Sequence, residues 1–473
     1  MAGAFECRWE ETKNEIFIGL YLLGSRWAAG VPFPLTPALS PKERENGRQR
    51  IHKPSAPGIF ERRSACLPLP GGEGRGEGEQ AAVKAEASKT IHIHRQERLC
   101  SIRTNVFFVV LVSIPITPTT PAELVEAVRS RPRVLAIGAR TKPRLSQVPD
   151  DVCLISTGAL HGIVEYEPEE FTFTALAGTS LREINQALTE KGQYLPFDPM
   201  LVEAGATLGG TVAAGLSGPG RFRFGGVRDF ILGVRFVDGQ GRLLRMGGKV
   251  VKNCAGFDLP KFFVGSLGRY GMLAEITFKV FPVPASRLTL RLTTSDAEAA
   301  AKVLTEAANS RWELDALDLL PDSKTVCLRL AGPAPALEAL SCEVLARWPG
   351  QVLSVAEADA AWTELREFRW AHSGCVLVKV AITPAVVPAL YAVARSLEDT
   401  RIHVSAGGNV AFVSLPSSVP AAALQERLRA LSLPAVCLSG NAPLWCGTRT
   451  DSAISTAVKQ ALDPQNRFPG LDD

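Results

Sequence analysis

From residue 117 onwards, apolar positions recur with helical and strand periods, and they predict an ordered series of elements. Segment 117–130 opens with Thr120-Pro121-Ala122-Glu123, a capping-box spacing with proline at the first helical position, and Leu124, Val125 and Val128 then share one face. A helix is predicted there. The apolar run 133–137 ends at Gly138 and reads as strand and turn, while 152–156 and 171–177 read as further strands. Ser180 with Glu183 gives a second capping box, opening a helix that stops at Gly192. Asp238-Gly239, between apolar runs 231–237 and 243–246, predicts a hairpin. After Pro282-Val283-Pro284 the texture changes. Amphipathic segments at 295–309, 335–347 and 384–397 alternate with short strands at 326–330, 376–380 and 411–415, which places a domain boundary near 285.

Residues 1–104 follow no such pattern. The stretch 32–79 holds eight prolines (32, 34, 37, 41, 54, 57, 68 and 70) and ends in the Gly/Glu run 71–79. Proline removes amide donors, and glycine and charge lower the gain from burial, so disorder is the physical default. The words Pro34-Leu35-Thr36-Pro37 and Leu67-Pro68-Leu69-Pro70-Gly71-Gly72 resemble translated bacterial intergenic repeats. Residues 1–104 are therefore expected to be a disordered or mis-annotated extension, with an authentic basic tail as the competing reading.

Charge supports the same division. The 473-residue chain has a net charge of +4, and residues 1–104 supply it with 16 Lys+Arg against 12 Glu and no Asp. The remainder is balanced at 36 against 36, so no polyanion-binding surface is implied and nucleic acid is not expected as a partner. With 46% hydrophobic and 21% charged residues the composition is that of a soluble globular protein. The apolar runs 16–23 and 106–116 are too short to span a bilayer. Ten cysteines form no C-x-x-C pair, so neither a disulfide framework nor a zinc or Fe–S site is expected within the chain. His92-Ile93-His94 lacks a third ligand nearby, and no metal site is expected there.

Two glycine-rich loops carry the candidate chemistry. Gly138, Ala139, Arg140, Thr141 and Lys142 follow a strand, where small residues expose backbone amides in an anion-binding concavity and the side chains add a hydroxyl and positive charge. G-x-G-x-x-G and Walker patterns are both missing. The second loop runs from Gly205 to Gly218 and includes Ala206, Thr207, Gly209, Gly210 and Val212. Its paired glycines permit backbone approach to a bulky ligand, and the stripe Leu208, Val212, Leu216 predicts a helix whose amino end could point towards phosphates. Close helix–sheet packing is the alternative use of the same glycines. Phe224-Gly225-Gly226-Val227-Arg228-Asp229 and Val264-Gly265-Ser266-Leu267-Gly268-Arg269-Tyr270-Gly271 follow in order, the latter before a closing strand at 272–281.

That ordered series resembles the flavin-binding domain of the vanillyl-alcohol-oxidase-like (PCMH-type) FAD proteins. More closely, it is similar to an FAD-binding subunit of bacterial glycolate oxidase, also called glycolate dehydrogenase. The likeness covers 105–285, is dense at 203–235, and includes the characteristic 247–259 segment Gly-Gly-Lys-Val-Val-Lys-Asn-Cys-Ala-Gly-Phe-Asp-Leu. It implies an α+β protein, with a two-subdomain PCMH-type FAD-binding domain at 105–285 and an α+β substrate or cap domain at 286–473. By the same resemblance, Gly138–Lys142 cradles the FAD pyrophosphate, and Thr207, Gly209 and Gly210, flanked by Ala206 and Val212, line the diphosphate and ribityl chain. Gly225 and Gly226 approach the flavin, Asp229 orients their loop, and Ile276 meets the adenine end through its backbone. No His lies in 137–142 or 205–230, so the FAD is expected to be non-covalent. The chain departs from the family at its end, where Phe468 and Leu471 stand in the places of an Asn and a basic residue.

The resemblance further implies a subunit that passes electrons from oxidation of glycolate, or another small 2-hydroxy acid, towards an Fe–S subunit, with a second FAD-containing subunit in the complex. A cytoplasmic location follows, with any inner-membrane association made through partners. Two other readings compete: a stand-alone FAD-dependent alcohol or sugar oxidoreductase, and a non-catalytic assembly subunit with a vestigial flavin site. No catalytic set is visible. His403 lies where a substrate domain would face the ring, but a buried, hydrogen-bonded histidine is the stronger expectation. Arg366, Arg369 and Lys379 could bind a carboxylate, although solvated faces usually explain such charges.

Overall fold

The Thr120 and Ser180 hydroxyl caps form where the sequence predicts them. In the computed structural model, which describes residues 6–12, 15–21, 115–248, 258–449 and 453–472, the first helix of the glycine-rich half runs Pro121–Arg129. The Thr120 hydroxyl accepts the Glu123 amide, whereas the Glu123 carboxylate reaches back one residue further than a capping box, to the amide and hydroxyl of Thr119. Leu124 and Val128 are fully buried. Ser180 likewise accepts the Glu183 amide and opens the helix Leu181–Thr189. Of residues 1–114, only the antiparallel strands Glu6–Thr12 and Glu15–Tyr21 are described. The expectation for 32–79, the His92–His94 pair and the 249–257 part of the characteristic segment lie outside the described residues.

The glycine-rich half is built on a five-stranded antiparallel sheet. Its spatial order is Ile163–Glu167, Thr172–Leu176, Met272–Lys279, Ile231–Val237, Leu243–Gly247, with Met272–Lys279 in the centre. Ile231–Val237 and Leu243–Gly247 form the predicted hairpin, and the Asp238 carboxylate organises its turn by accepting the amides of Gln240 and Arg242. Beside this sheet, Val134–Ile137 pairs in parallel with Cys153–Ser156.

From Ser286 the chain forms a nine-stranded antiparallel sheet that alternates apolar residues on both faces. Val326, Leu328, Val376, Val378, Ala411 and Val413 pack beneath the helices Ala297–Ala308, Ala334–Arg347, Val387–Arg395 and Ala421–Ala430. Their neighbours Cys327, Leu377 and Phe412 join the core that also holds Phe197, Phe230 and Leu273 of the glycine-rich half. The two sheets therefore share one core. A buried ion network reinforces the seam: Arg329 donates to Asp198 and Asp315, at 2.5 Å each, and its guanidinium lies 5.2 Å from the Trp362 ring centre. Asp198 also accepts the Gly220 amide.

The end of the chain returns to the glycine-rich half. Lys459, on the helix Ala453–Leu462, donates to Asp463 at 2.6 Å and to the carbonyls of Arg269, Phe468 and Pro469. Asp463 accepts the amides of Arg467 and Phe468, and Arg467 donates to the carbonyls of Val128 and Arg129 at the end of the first helix. Phe468 is buried among Leu124, Val128, Val134 and Ile155. The family's Asn position is thus occupied here by a core residue.

Removing the Lys459 ammonium strands Asp463 in a dry site, and breaking a buried pair from one side typically costs about 3–5 kcal/mol. Lys459→Met is expected to lower stability by that order in urea denaturation, with Arg129→Ala, an exposed control, changing little.

Candidate functional site

The centre of the site is the junction of three backbone segments. The helix Leu208–Ala214 begins after Thr207, whose hydroxyl accepts the Gly210 amide at 3.2 Å. Leu208 and Val212 are buried, which fixes the helix against the sheet. The Gly209 amide donates to the Ala177 carbonyl at 2.8 Å and the Leu208 amide to that of Thr179. A Cβ on Gly209 would stand 2.8 Å from the Ala177 oxygen, and one on Gly138 would stand 2.5 Å from the Thr207 hydroxyl. Only glycine allows both approaches. The helix start therefore differs from the sequence expectation: its first three amides bond to protein oxygens, so the close-packing use of Gly209 applies and the amino end is not free to receive a phosphate.

The free amides lie on the opposite wall. Among the described residues, the backbone amides of Ala139, Arg140, Thr141 and Lys142 donate to no protein group. Arg140 holds φ 53°, a left-handed conformation that a non-glycine residue adopts at some cost. Lys142 is buried, donates to the Thr141 hydroxyl at 2.9 Å and has no carboxylate partner among the described residues; burial pushes its ammonium down to about 8. Four unpaired amides and a desolvated cation suit a diphosphate.

A third wall closes the crevice. The turn 264–271 docks on the helix through the Gly265 and Leu267 amides, which donate to Val212 and Ala213. The resulting crevice encloses about 740 Å³, open in part to solvent, and brings Gly138, Ala139, Arg140, Thr141, Lys142, Thr207, Gly209 and Gly210 together with Ser266, Leu267, Gly268, Gly271 and Leu273. A second cavity, of about 1210 Å³ and also open in part to solvent, shares Ser266 and Leu267 with it and extends to the nine-stranded sheet.

The remaining expected residues lie elsewhere. Ala206 is buried, with its amide bonded to Leu201 and its carbonyl to Leu181, and Val212 belongs to the core. Gly225 and Gly226 occupy a turn where Asp229 accepts the Gly226 amide at 2.8 Å, so the carboxylate does orient the loop, but none of the three lines either cavity. Ile276 is fully buried in the central strand, paired with Ala175 and Val234; Leu273, three residues earlier, is the one that reaches the crevice. The sequence had displayed the 264–271 glycines without assigning them a wall.

Among the described residues, no histidine lines the crevice or the second cavity. His403 is buried, with Nε2 2.8 Å from the Asp318 carboxylate, and its ring is stacked on Phe412. His372 approaches the Asp399 carbonyl at 2.7 Å. Arg369 pairs with Glu203 at the surface, and Arg366 bonds to its own helix. Lys379 instead crosses the seam to the Gly215 carbonyl, at 2.7 Å.

The two neighbouring glycines should respond differently to one substitution. Gly210 faces the crevice, and a Cβ there meets only the Thr207 hydroxyl, at 3.0 Å. Gly210→Asp is expected to leave the fold intact by circular dichroism while abolishing flavin retention, whereas Gly209→Asp disrupts the fold against Ala177. A pH prediction follows from Lys142. Its folded-state value, about 8, lies below the ordinary 10.5, so the unfolded chain binds the extra proton between them. Ligand-free stability should therefore rise with pH from about 8 towards 10.5, and Lys142→Met should reduce that rise in urea midpoints.

Residues 112–247 match the family model described as FAD binding domain. The chain is 46% identical over 158 residues to glycolate oxidase subunit GlcE of Escherichia coli (strain K12), covering 33% of this chain and 43% of that protein. It is 31% identical over 147 residues to glycolate oxidase subunit GlcD of Bacillus subtilis (strain 168), covering 31% of each. The matched segments thus span less than half the length of these curated relatives. A solved structure of alkyldihydroxyacetonephosphate synthase superposes with a TM-score of 0.56 at 15% identity, over 75% of this chain and 76% of that one, which shows a common α+β fold. Residues 112–247 thus match an FAD-binding domain, and the chain is similar to glycolate oxidase subunits over about a third of its length.

Proposed function

We propose that this chain is the non-covalent FAD-binding subunit of an oxidoreductase complex acting on glycolate or another small 2-hydroxy acid. The observation that carries the reading is the wall formed by the free amides of Ala139–Lys142 and the buried Lys142 ammonium, within a segment matched to the FAD-binding family. Those amides and that ammonium hold the diphosphate. Thr207, Gly209 and Gly210 line the ribityl chain, and the turn at Ser266–Gly268 closes the opposite side. The crevice lining contains no His or Cys, in keeping with reversible attachment.

A bound flavin supplies two-electron acceptor chemistry that the side chains lack. The protein's own part is to exclude water from the crevice through Leu145, Leu267 and Leu273 and to fix the cofactor by charge and close backbone approach. Electrons then pass to an Fe–S partner subunit, and a second FAD-containing subunit shares the assembly. No described helix is long and apolar enough to cross a membrane, and the proposed location is cytoplasmic, with any inner-membrane contact made by partners.

The full-length protein, incubated with FAD and desalted, is expected to show bands near ~370 and ~450 nm whose chromophore is released by acid. A colourless folded protein would exclude independent flavin binding. Co-expression with candidate partners should recover an iron-containing complex in which glycolate bleaches the flavin band.

A further inference from the structure

The second cavity has a composition unlike that of the crevice beside it. Lys379, Arg269 and Arg449 line it, together with the hydroxyls of Tyr270, Thr448 and Ser455, and no Asp or Glu appears among its described lining residues. Ala381, Val436 and Trp445 supply its apolar wall.

Lys379 is the feature that singles it out. It projects from the middle of the strand Val376–Ala381, between Phe412 and Val436 on the neighbouring strands, neither of which carries charge. Among the described residues no carboxylate pairs with it. Its hydrogen bond is to the neutral carbonyl of Gly215, which ends the helix bearing Gly209 and Gly210. An ammonium has three donors, so this contact leaves two for another acceptor. Burial and the nearby Arg221 both disfavour its charge, pushing it down to about 8. Arg449 is already paired with Asp472, whereas Lys379 is half-buried, opens on the same cavity and meets no described carboxylate, so an anion completes it electrostatically.

We propose that this second cavity binds a small carboxylate and that Lys379 is its anchoring cation. The choice of a carboxylate rests on the function proposed above; the anionic character rests on Lys379 and its place on the cavity wall. One face of the cavity is the turn at Ser266 and Leu267 that also walls the crevice, so an anion held at Lys379 lies next to whatever the crevice holds. The link from Lys379 to Gly215 further joins the anion site to the end of the glycine-bearing helix.

Calorimetric titration of the full-length FAD-treated protein with sodium acetate, glycolate and inorganic phosphate, at constant ionic strength, tests the proposal. Acetate and glycolate are expected to bind, with phosphate much weaker. Lys379→Met should weaken acetate by roughly 10- to 100-fold, the loss of a charge-assisted contact, and Lys379→Arg should retain most of the affinity. Ala381→Glu, an exposed position lining the same cavity, adds a repelling carboxylate without touching the Gly215 contact and should also weaken acetate. Unchanged acetate affinity in folded Lys379→Met, or preference for phosphate, overturns the proposal. Absorption spectra of the same samples separate the two readings. A yellow protein indifferent to acetate removes the anion site alone. A colourless protein that binds acetate through Lys379 removes the flavin reading alone.

Discussion

The Thr207 hydroxyl is the contact on which the glycine-rich half depends. It caps the helix Leu208–Ala214 through the Gly210 amide, and it occupies the space that any side chain at residue 138 would need. The adjacent Gly209 amide is tied to Ala177 at the end of a sheet strand. One hydroxyl and two missing side chains thus hold a loop, a helix and a sheet within backbone contact. A crevice narrow enough to grip a dinucleotide follows, because no side chains separate its walls. The helix contributes shape to that crevice, whereas the facing loop contributes hydrogen-bond donors.

The buried and half-buried cations sort by how they are neutralised. Arg329 sits between two aspartates, and Lys459 is surrounded by Asp463 and three carbonyls. Both are saturated by the protein, and both fasten segments distant in sequence: the two sheets in one case, the chain end and the glycine-rich half in the other. Lys142 and Lys379 lack carboxylate partners among the described residues, and each opens on a cavity. Desolvation without compensation is costly for an ammonium, so its presence at just these two walls is most simply explained by an external anion.

Local elements were legible in the sequence because their causes are local. The Thr120 and Ser180 caps and the Asp238-Gly239 turn each depend on residues a few positions apart. The 138–142 loop and the Thr207–Gly210 segment were legible for the same reason, and the crevice brings them together. Ile276 and Leu273 show the limit. Both lie on one apolar strand, and which of them reaches the crevice depends on the strand's place between two neighbours, which no local pattern records. The terminal Phe468 was a departure from a family pattern in the sequence; burial beside Leu124 and Val128 makes it a core residue.

The sequence by itself determined the order of elements, the glycine-rich loops and the likeness to FAD-binding subunits, since capping, turn chemistry and close approach are written in short residue patterns. Tertiary structure decided which amides stay free, that the helix start is already satisfied, and that His403 is sealed against Asp318. It also decided that Lys379, one charge among many in the sequence, stands at a cavity beside the crevice. Such outcomes depend on which partners long-range packing brings within hydrogen-bond distance, and residue order alone does not fix those distances.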